Sequence, residues 1–344
     1  MYEGYKFFKD RSEYSDVKPI KQDDDPREII KIAYSDQFID CHDYLRGLMA
    51  VNELSERALV VTTEALLLNS ANFTTWAYRR STFSVVSCEF IKELEFVSCI
   101  IRENSKNYQV WYHRQWILKN FPQDKDLDKF LSTELEFIRD IIDDDNKNYH
   151  AWQHLRWFID NFSVSREDQL AYSTVLIDED VFNNSVWNYR FYLCFDKGFP
   201  EDVVNREIDF VMEKILKCPN NDSSWNYLHG IINPNVREQS GRDTLKMPSV
   251  HLEKIRHFIV ALEDCKEISE NCPQCVSFMV DFYVDDLTLT ISKEDYKIDQ
   301  KNKTHASLLK AKSIDLCMTL ESEIDQVREN YWSYRKKQIE SIYI

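Results

Sequence analysis

Apolar positions recur at helical spacing along most of the chain. In Glu93–Ile101, Leu94, Val97 and Ile101 fall at i, i+3 and i+7, one face of a helix. Glu134–Ile141 (ELEFIRDI) repeats the order of Glu93–Ile100 (ELEFVSCI). After each such stretch comes a second pattern: Asn, three residues, Trp, two residues, Arg. It occurs as Asn72/Trp76/Arg79, Asn107/Trp111/Arg114, Asn148/Trp152/Leu155, Asn183/Trp187/Arg190 and Asn221/Trp225/Leu228. Successive tryptophans are 35, 41, 35 and 38 residues apart. Phe96, Phe137, Tyr172 and Phe210 each precede a motif Trp by fifteen residues, and Val61 holds that place in the first copy. Two markers moving together five times define an internal repeat.

Each repeat reads as a helical hairpin. The aromatic marker lies on an amphipathic helix A, and a short polar link follows. The motif Asn stands where an N-cap is needed, its side chain accepting from exposed backbone N–H groups. Trp four residues on and Arg seven on share a face of helix B. The indole anchors helix against helix, and the guanidinium suits a tie between neighbouring units through a carboxylate or helix-end carbonyls. Stacked hairpins predict an all-α fold, a right-handed α-α superhelix or crescent-shaped solenoid. The repeats run over about 54–232. Ile29–Met49 reads as a partial first unit with Tyr34, Phe38, Tyr44 and Leu45 as its apolar content. Residues 1–27 lack periodicity and are expected to be a loose arm. The stretch 233–248 reads as a surface loop. Residues 250–340 form atypical capping helices, with a charged helix over Glu321–Glu340. Residues 28–340 read as a single domain.

Composition sharpens this picture. The chain has 344 residues but only 5 glycines, Gly4, Gly47, Gly198, Gly230 and Gly241, none clustered. That excludes a P-loop and a dinucleotide fingerprint and weighs against a turn-rich β fold. The formal charge of −16 disfavours nucleic acid and suits basic protein partners. No window is long and apolar enough for a membrane span. The start, MYEGYKFFKD, is too charged for a signal peptide. Nine scattered cysteines fit reduced thiols and a cytoplasmic chain. Cys272 and Cys275 form the one C-x-x-C, without the second pair a zinc site needs.

The repeated N-x-x-x-W-x-x-R, with NYQVW, NYHAWQH, NNSVWN and NDSSWNYL, resembles the α subunits of protein prenyltransferases. So do IAYSDQFI (Ile32–Ile39), FMVDFY from Phe278 and YWSY from Tyr331. The resemblance covers about 33–334, and is greatest to the branch shared by farnesyl- and type I geranylgeranyltransferases. It implies a heterodimer in which this subunit wraps a β subunit. The enzyme would move a farnesyl or geranylgeranyl group from its diphosphate to the Cys of a C-terminal C-a-a-X motif, on proteins such as small GTPases. Zinc, and magnesium with the diphosphate, would enter through the β subunit and the substrate. No metal is assigned to this chain.

By resemblance, Lys147 and Tyr149 are the catalytic residues, contacting the isoprenoid diphosphate. A cation and a hydroxyl there would stabilise the negative charge growing on the leaving oxygens, and a helix start favours anions. Tyr108, His150 and Asn183 are expected on the substrate side. The remaining motif residues are structural. One departure stands out: Leu155 replaces the third-repeat Arg, and Arg156 beside it points about 100° away around a helix. A Rab-type α subunit without further domains and a non-catalytic helical scaffold are the alternative readings.

Overall fold

The computed structural model describes residues 5–23, 27, 29–30, 32–122, 127–232, 249–265, 268, 271–293, 296 and 299–344. The expected surface loop at 233–248 lies outside them. The described residues contain helices and no strand. They group into two compact units, Met1–Val164 and Ser165–Ile344.

The first unit holds α1 (Asp36–Ala50), then three hairpins: α2 (Glu56–Leu68) with α3 (Phe73–Thr82), α4 (Phe90–Glu103) with α5 (Tyr108–Asn120), and α6 (Leu127–Asp144) with α7 (Tyr149–Asn161). The second holds α8 (Arg166–Glu179) with α9 (Asn184–Phe195), α10 (Glu201–Lys217) with α11 (Asp222–Ile232), and α12 (Ser249–Asp264) with α13 (Pro273–Ile291). It ends with α14 (Gln300–Thr319) and α15 (Glu329–Glu340). The charged helix expected from Glu321 starts only at Glu329. A π turn at Leu320–Ile324 and a 3-10 turn at Gln326–Arg328 precede it, and Leu320 is buried in the cluster around Trp332.

The same bonds recur at every hairpin. Each motif Asn caps helix B through its side-chain oxygen: Asn72 accepts from Thr75 N (3.1 Å), Asn107 from Gln109 N (3.0 Å) and Asn221 from Ser223 N (3.1 Å). Each motif Trp donates its indole N–H to the carbonyl six residues earlier. Trp76 reaches Ser70, Trp111 Ser105, Trp187 Val181 and Trp225 Pro219, at 2.7–2.8 Å, and Trp152 reaches Asn146 at 3.0 Å. The Asn amide of the next hairpin uses the same turn: Asn107 Nδ2 donates to Ser70 O (2.7 Å), and Asn221 Nδ2 to Val181 O (2.7 Å). One carbonyl thus serves two hairpins, its own through Trp and the next through Asn.

Where the preceding hairpin carries the motif Arg, the aromatic marker lies beneath it. Arg114 sits 3.7 Å above the Phe137 ring and Arg190 3.7 Å above Phe210. Desolvated cation–π contacts of this kind contribute about 2 kcal/mol.

The structure also shows a sixth hairpin without a tryptophan. Cys272 caps α13, its sulfur accepting from Cys275 N (3.4 Å), and donates to Pro219 O at 3.0 Å, the bond an Asn amide makes elsewhere. Six residues on, Phe278 packs on Trp225 (ring centroids 5.2 Å) as His113 does on Trp76 (4.6 Å). A motif search keyed on Trp passes over this unit because Val276 holds the Trp position.

The expected loose arm is docked where it is described. Phe8 and Tyr14 are fully buried among Cys41, Tyr44, Leu45 and Leu48. Arg11 pairs with Glu64 (2.6 Å) and Arg57 with Asp16 (2.6 Å). Gly47 makes room for it, since a Cβ there would stand 2.5 Å from Lys18 O. Two isolated aromatics carry this docking, and they leave no periodic trace.

Candidate functional site at adjoining helix starts

Tyr108 is the first residue of α5 and Tyr149 the first of α7. Both rings are exposed. Their positions follow from the caps beside them. Asn148 is 1 % exposed and accepts from His150 N (3.0 Å) and Ala151 N (3.1 Å). Its amide reaches back to Ser105 Oγ at 2.9 Å. Ser105 lies three residues before Tyr108, so the starts of α5 and α7 stand side by side at one edge of the unit. Lys147 occupies the exposed turn before Asn148, its backbone N–H held by Asp145 Oδ1 at 3.3 Å. Its ammonium makes no ion pair among the described residues. His150, half-buried, packs edge-on to Tyr149 with centroids 5.6 Å apart. Lys147, Tyr149, His150 and Tyr108 therefore share one exposed edge, a cation, two phenols and an imidazole with room for a ligand. Phe73, first in α3 and also exposed, extends the row.

Asn183 belongs to the second unit. It is 2 % exposed and caps α9 through Ser185 N at 3.0 Å. Leu155 is fully buried in the core, and Arg156 is exposed.

Sequence reasoning passed over a set of buried polar clamps within each unit. Glu93 takes Arg79 through two bonds (2.7 and 2.6 Å) and His113 Nε2 at 2.8 Å. Glu134 takes Arg114 (2.8 and 2.6 Å) and His154 Nε2 at 2.9 Å. Glu207 takes Arg190 and the Tyr227 hydroxyl, each at 2.7 Å. Each carboxylate clamps the preceding helix B to its own. Burial works against the charged form, but Arg and His hold Glu93 and Glu134 down to about 2. Burial likewise lowers His113 and His154, with the carboxylate bond opposing, so each is a neutral donor. In the fourth repeat Gln169 stands in the Glu register and accepts from Tyr189 Oη at 2.9 Å. The Arg register before it is Leu155, so cation and anion are missing together. The signal was available: Glu93, Glu134, Gln169 and Glu207 each lie eighteen residues before a motif Trp.

A groove of about 770 Å³ between α4 and α6, lined by Leu94, Phe130 and Phe137, is separate from this edge. Among the described residues no three His, Cys, Asp or Glu side chains could hold a metal ion. The Cys272 and Cys275 pair serves the helix cap instead.

Five stretches of the chain, 55–85, 90–121, 131–162, 166–196 and 204–233, match the family described as protein prenyltransferase alpha subunit repeat. The chain is similar to the protein farnesyltransferase/geranylgeranyltransferase type-1 subunit alpha of Arabidopsis thaliana, at 35 % identity over 96 % of this chain and 95 % of that one. The Pisum sativum protein of the same name is 34 % identical over 96 % and 94 %. Among solved structures, Candida albicans protein geranylgeranyltransferase-I complexed with GGPP matches with a TM-score of 0.74 at 24 % identity, over 98 % of this chain and 99 % of that one. At that identity the match shows the fold.

Proposed function

Because the chain belongs to the protein prenyltransferase alpha-subunit family, we propose that it is the α subunit of a heterodimeric transferase that moves a farnesyl or geranylgeranyl group from its diphosphate to the Cys thiol of a C-terminal C-a-a-X motif. The observation that carries this reading is the end-to-end likeness to relatives named as type-1 subunits, at 35 % identity. It favours the C-a-a-X enzymes over a Rab-type subunit and over a scaffold.

The reaction breaks the bond between the isoprenoid's first carbon and oxygen and forms a carbon–sulfur bond. Negative charge collects on the departing diphosphate. Lys147, exposed and without an ion pair among the described residues, suits those oxygens, and Tyr149 adds a hydroxyl donor from the same helix start. Charge of this kind is best met by donors fixed in advance, and the buried Asn148 cap fixes this turn. Tyr108 and His150 form the wall beside it. Among the described residues no three His, Cys, Asp or Glu side chains are grouped as metal ligands, and by the resemblance zinc would enter through the β partner. No helix among the described residues is long and apolar enough to cross a membrane, and work in the cytoplasm is part of the same proposal.

The test is reconstitution. The chain is made alone and with a prenyltransferase β subunit, and transfer from farnesyl and geranylgeranyl diphosphate to a C-a-a-X peptide is measured. Activity is expected only in the pair. A stable pair without transfer, or a chain that takes no β subunit, would overturn the reading.

A further inference from the structure

Among the hairpin joints, one is built from different chemistry. Asn107, Asn148 and Asn221 tie their helix starts to Ser70, Ser105 and Val181 through amides, and amides do not respond to oxidants. Cys272 makes the matching bond to Pro219 O through a thiol. Cys275, fully buried, lies three residues on at the same helix start, with its N–H on the Cys272 sulfur. That spacing brings two sulfurs within the reach of a disulfide. A cavity of about 560 Å³ lined by Leu216, Pro219, Cys265, Ile268 and Cys272 borders this helix start, where Cys272 is 1 % exposed. The structure holds all nine cysteines as thiols.

We propose that Cys272 and Cys275 form a reversible disulfide by exchange with a low-molecular-weight disulfide such as glutathione disulfide, and that closing it releases α13 from Pro219. Cys272 thiolate attacks glutathione disulfide, forming a mixed disulfide and expelling one glutathione thiolate. Cys275 thiolate then attacks the Cys272 sulfur and expels the second. Two protein thiols are oxidised, one glutathione disulfide is reduced, and both protons end on glutathione. The Cys272 S–H is consumed, so Pro219 O loses that bond and keeps its Trp225 bond. Burial pushes Cys272 up and Cys275 up to about 12. Thiolate is therefore scarce and exchange is slow, which suits a sustained oxidising shift rather than a brief pulse. Intracellular disulfides outside hyperthermophiles are usually transient and redox-sensing.

The test uses the full chain, equilibrated with glutathione buffers from reducing to oxidising. Peptide mass spectrometry should show Cys272 and Cys275 joined and lighter by two thiol hydrogens. Hydrogen exchange at the start of α13 should then rise about 5- to 10-fold, the scale of one lost hydrogen bond. Cys272→Asn restores the residue of the other joints. It should fold, keep slow exchange at α13 and show no response to glutathione disulfide there. Two thiols that stay reduced at the oxidising end would overturn the proposal. So would the same rise in exchange in Cys272→Asn.

Discussion

The residues that matter divide into buried clamps and exposed reagents. Lys147 belongs to the second kind, held in place by its neighbours' caps. Lys147→Ala is expected to lower the transfer rate of the heterodimer by roughly 10- to 1,000-fold, the scale of one lost charge stabiliser. The heterodimer should still assemble. Unchanged turnover would remove the residue from the mechanism. Glu93, Glu134, His113 and His154 belong to the first kind, and they set an acid limit. All four titrate lower in the fold than when free, from 6.5 for the histidines and 4.5 for the glutamates. The unfolded chain therefore takes up protons first, and stability falls as pH falls. The histidine contribution is whole above about 6.5 and fades below it, whereas the glutamate contribution fades from about 4.5 toward about 2. The melting temperature should drop between pH 7 and 5, and the His113→Gln, His154→Gln double variant should show a smaller drop. A flat profile in the native chain would contradict the clamps. These clamps were half legible. An Arg wanting a carboxylate follows from its chemistry, but which of 59 acidic residues supplies it depends on how hairpins stack.

Helices and caps were the most legible level. Asn before an amphipathic run means an N-cap for local reasons, and the Trp and Phe markers fix the pairing of helix A with helix B. Trp111 shows why the anchor repeats. It is 3 % exposed, donates to Ser105 and packs against Phe137 and His154. Trp111→Ala should cost about 3–5 kcal/mol through the cavity it leaves, read as a fall in the denaturation midpoint, and a shift near zero would disprove the packing. What the pattern concealed had no period. The docked segment around Phe8 and Tyr14 touches the fold through single side chains, and the sixth hairpin carries Cys, Val and Phe where the motif has Asn, Trp and His or Tyr. In both cases packing replaced the residue types that a repeat search keys on.

At the scale of the molecule, the proposed site is an edge and not a closed pocket. Phe73, Tyr108 and Tyr149 present aromatic surface there beside Lys147, which suits a site completed by a second protein. A partner that binds only the folded chain must stabilise it. The melting temperature of the pair should exceed that of the chain alone by several degrees, on the order of 3 kcal/mol when the partner is near a hundred times its Kd. An unshifted transition would mean that the partner does not bind the native chain.

The turn carbonyl shared by two hairpins has a genetic consequence. A coding segment for one hairpin specifies an acceptor for its successor and a donor for its predecessor, so its two ends match. Unequal crossing-over that duplicated or dropped such a segment would leave the turn carbonyl at the new seam with its two donors. Arrays of this kind can change length by whole units in one step and still fold. The sixth hairpin shows that the donor need not be Asn, since Cys272 now fills that place.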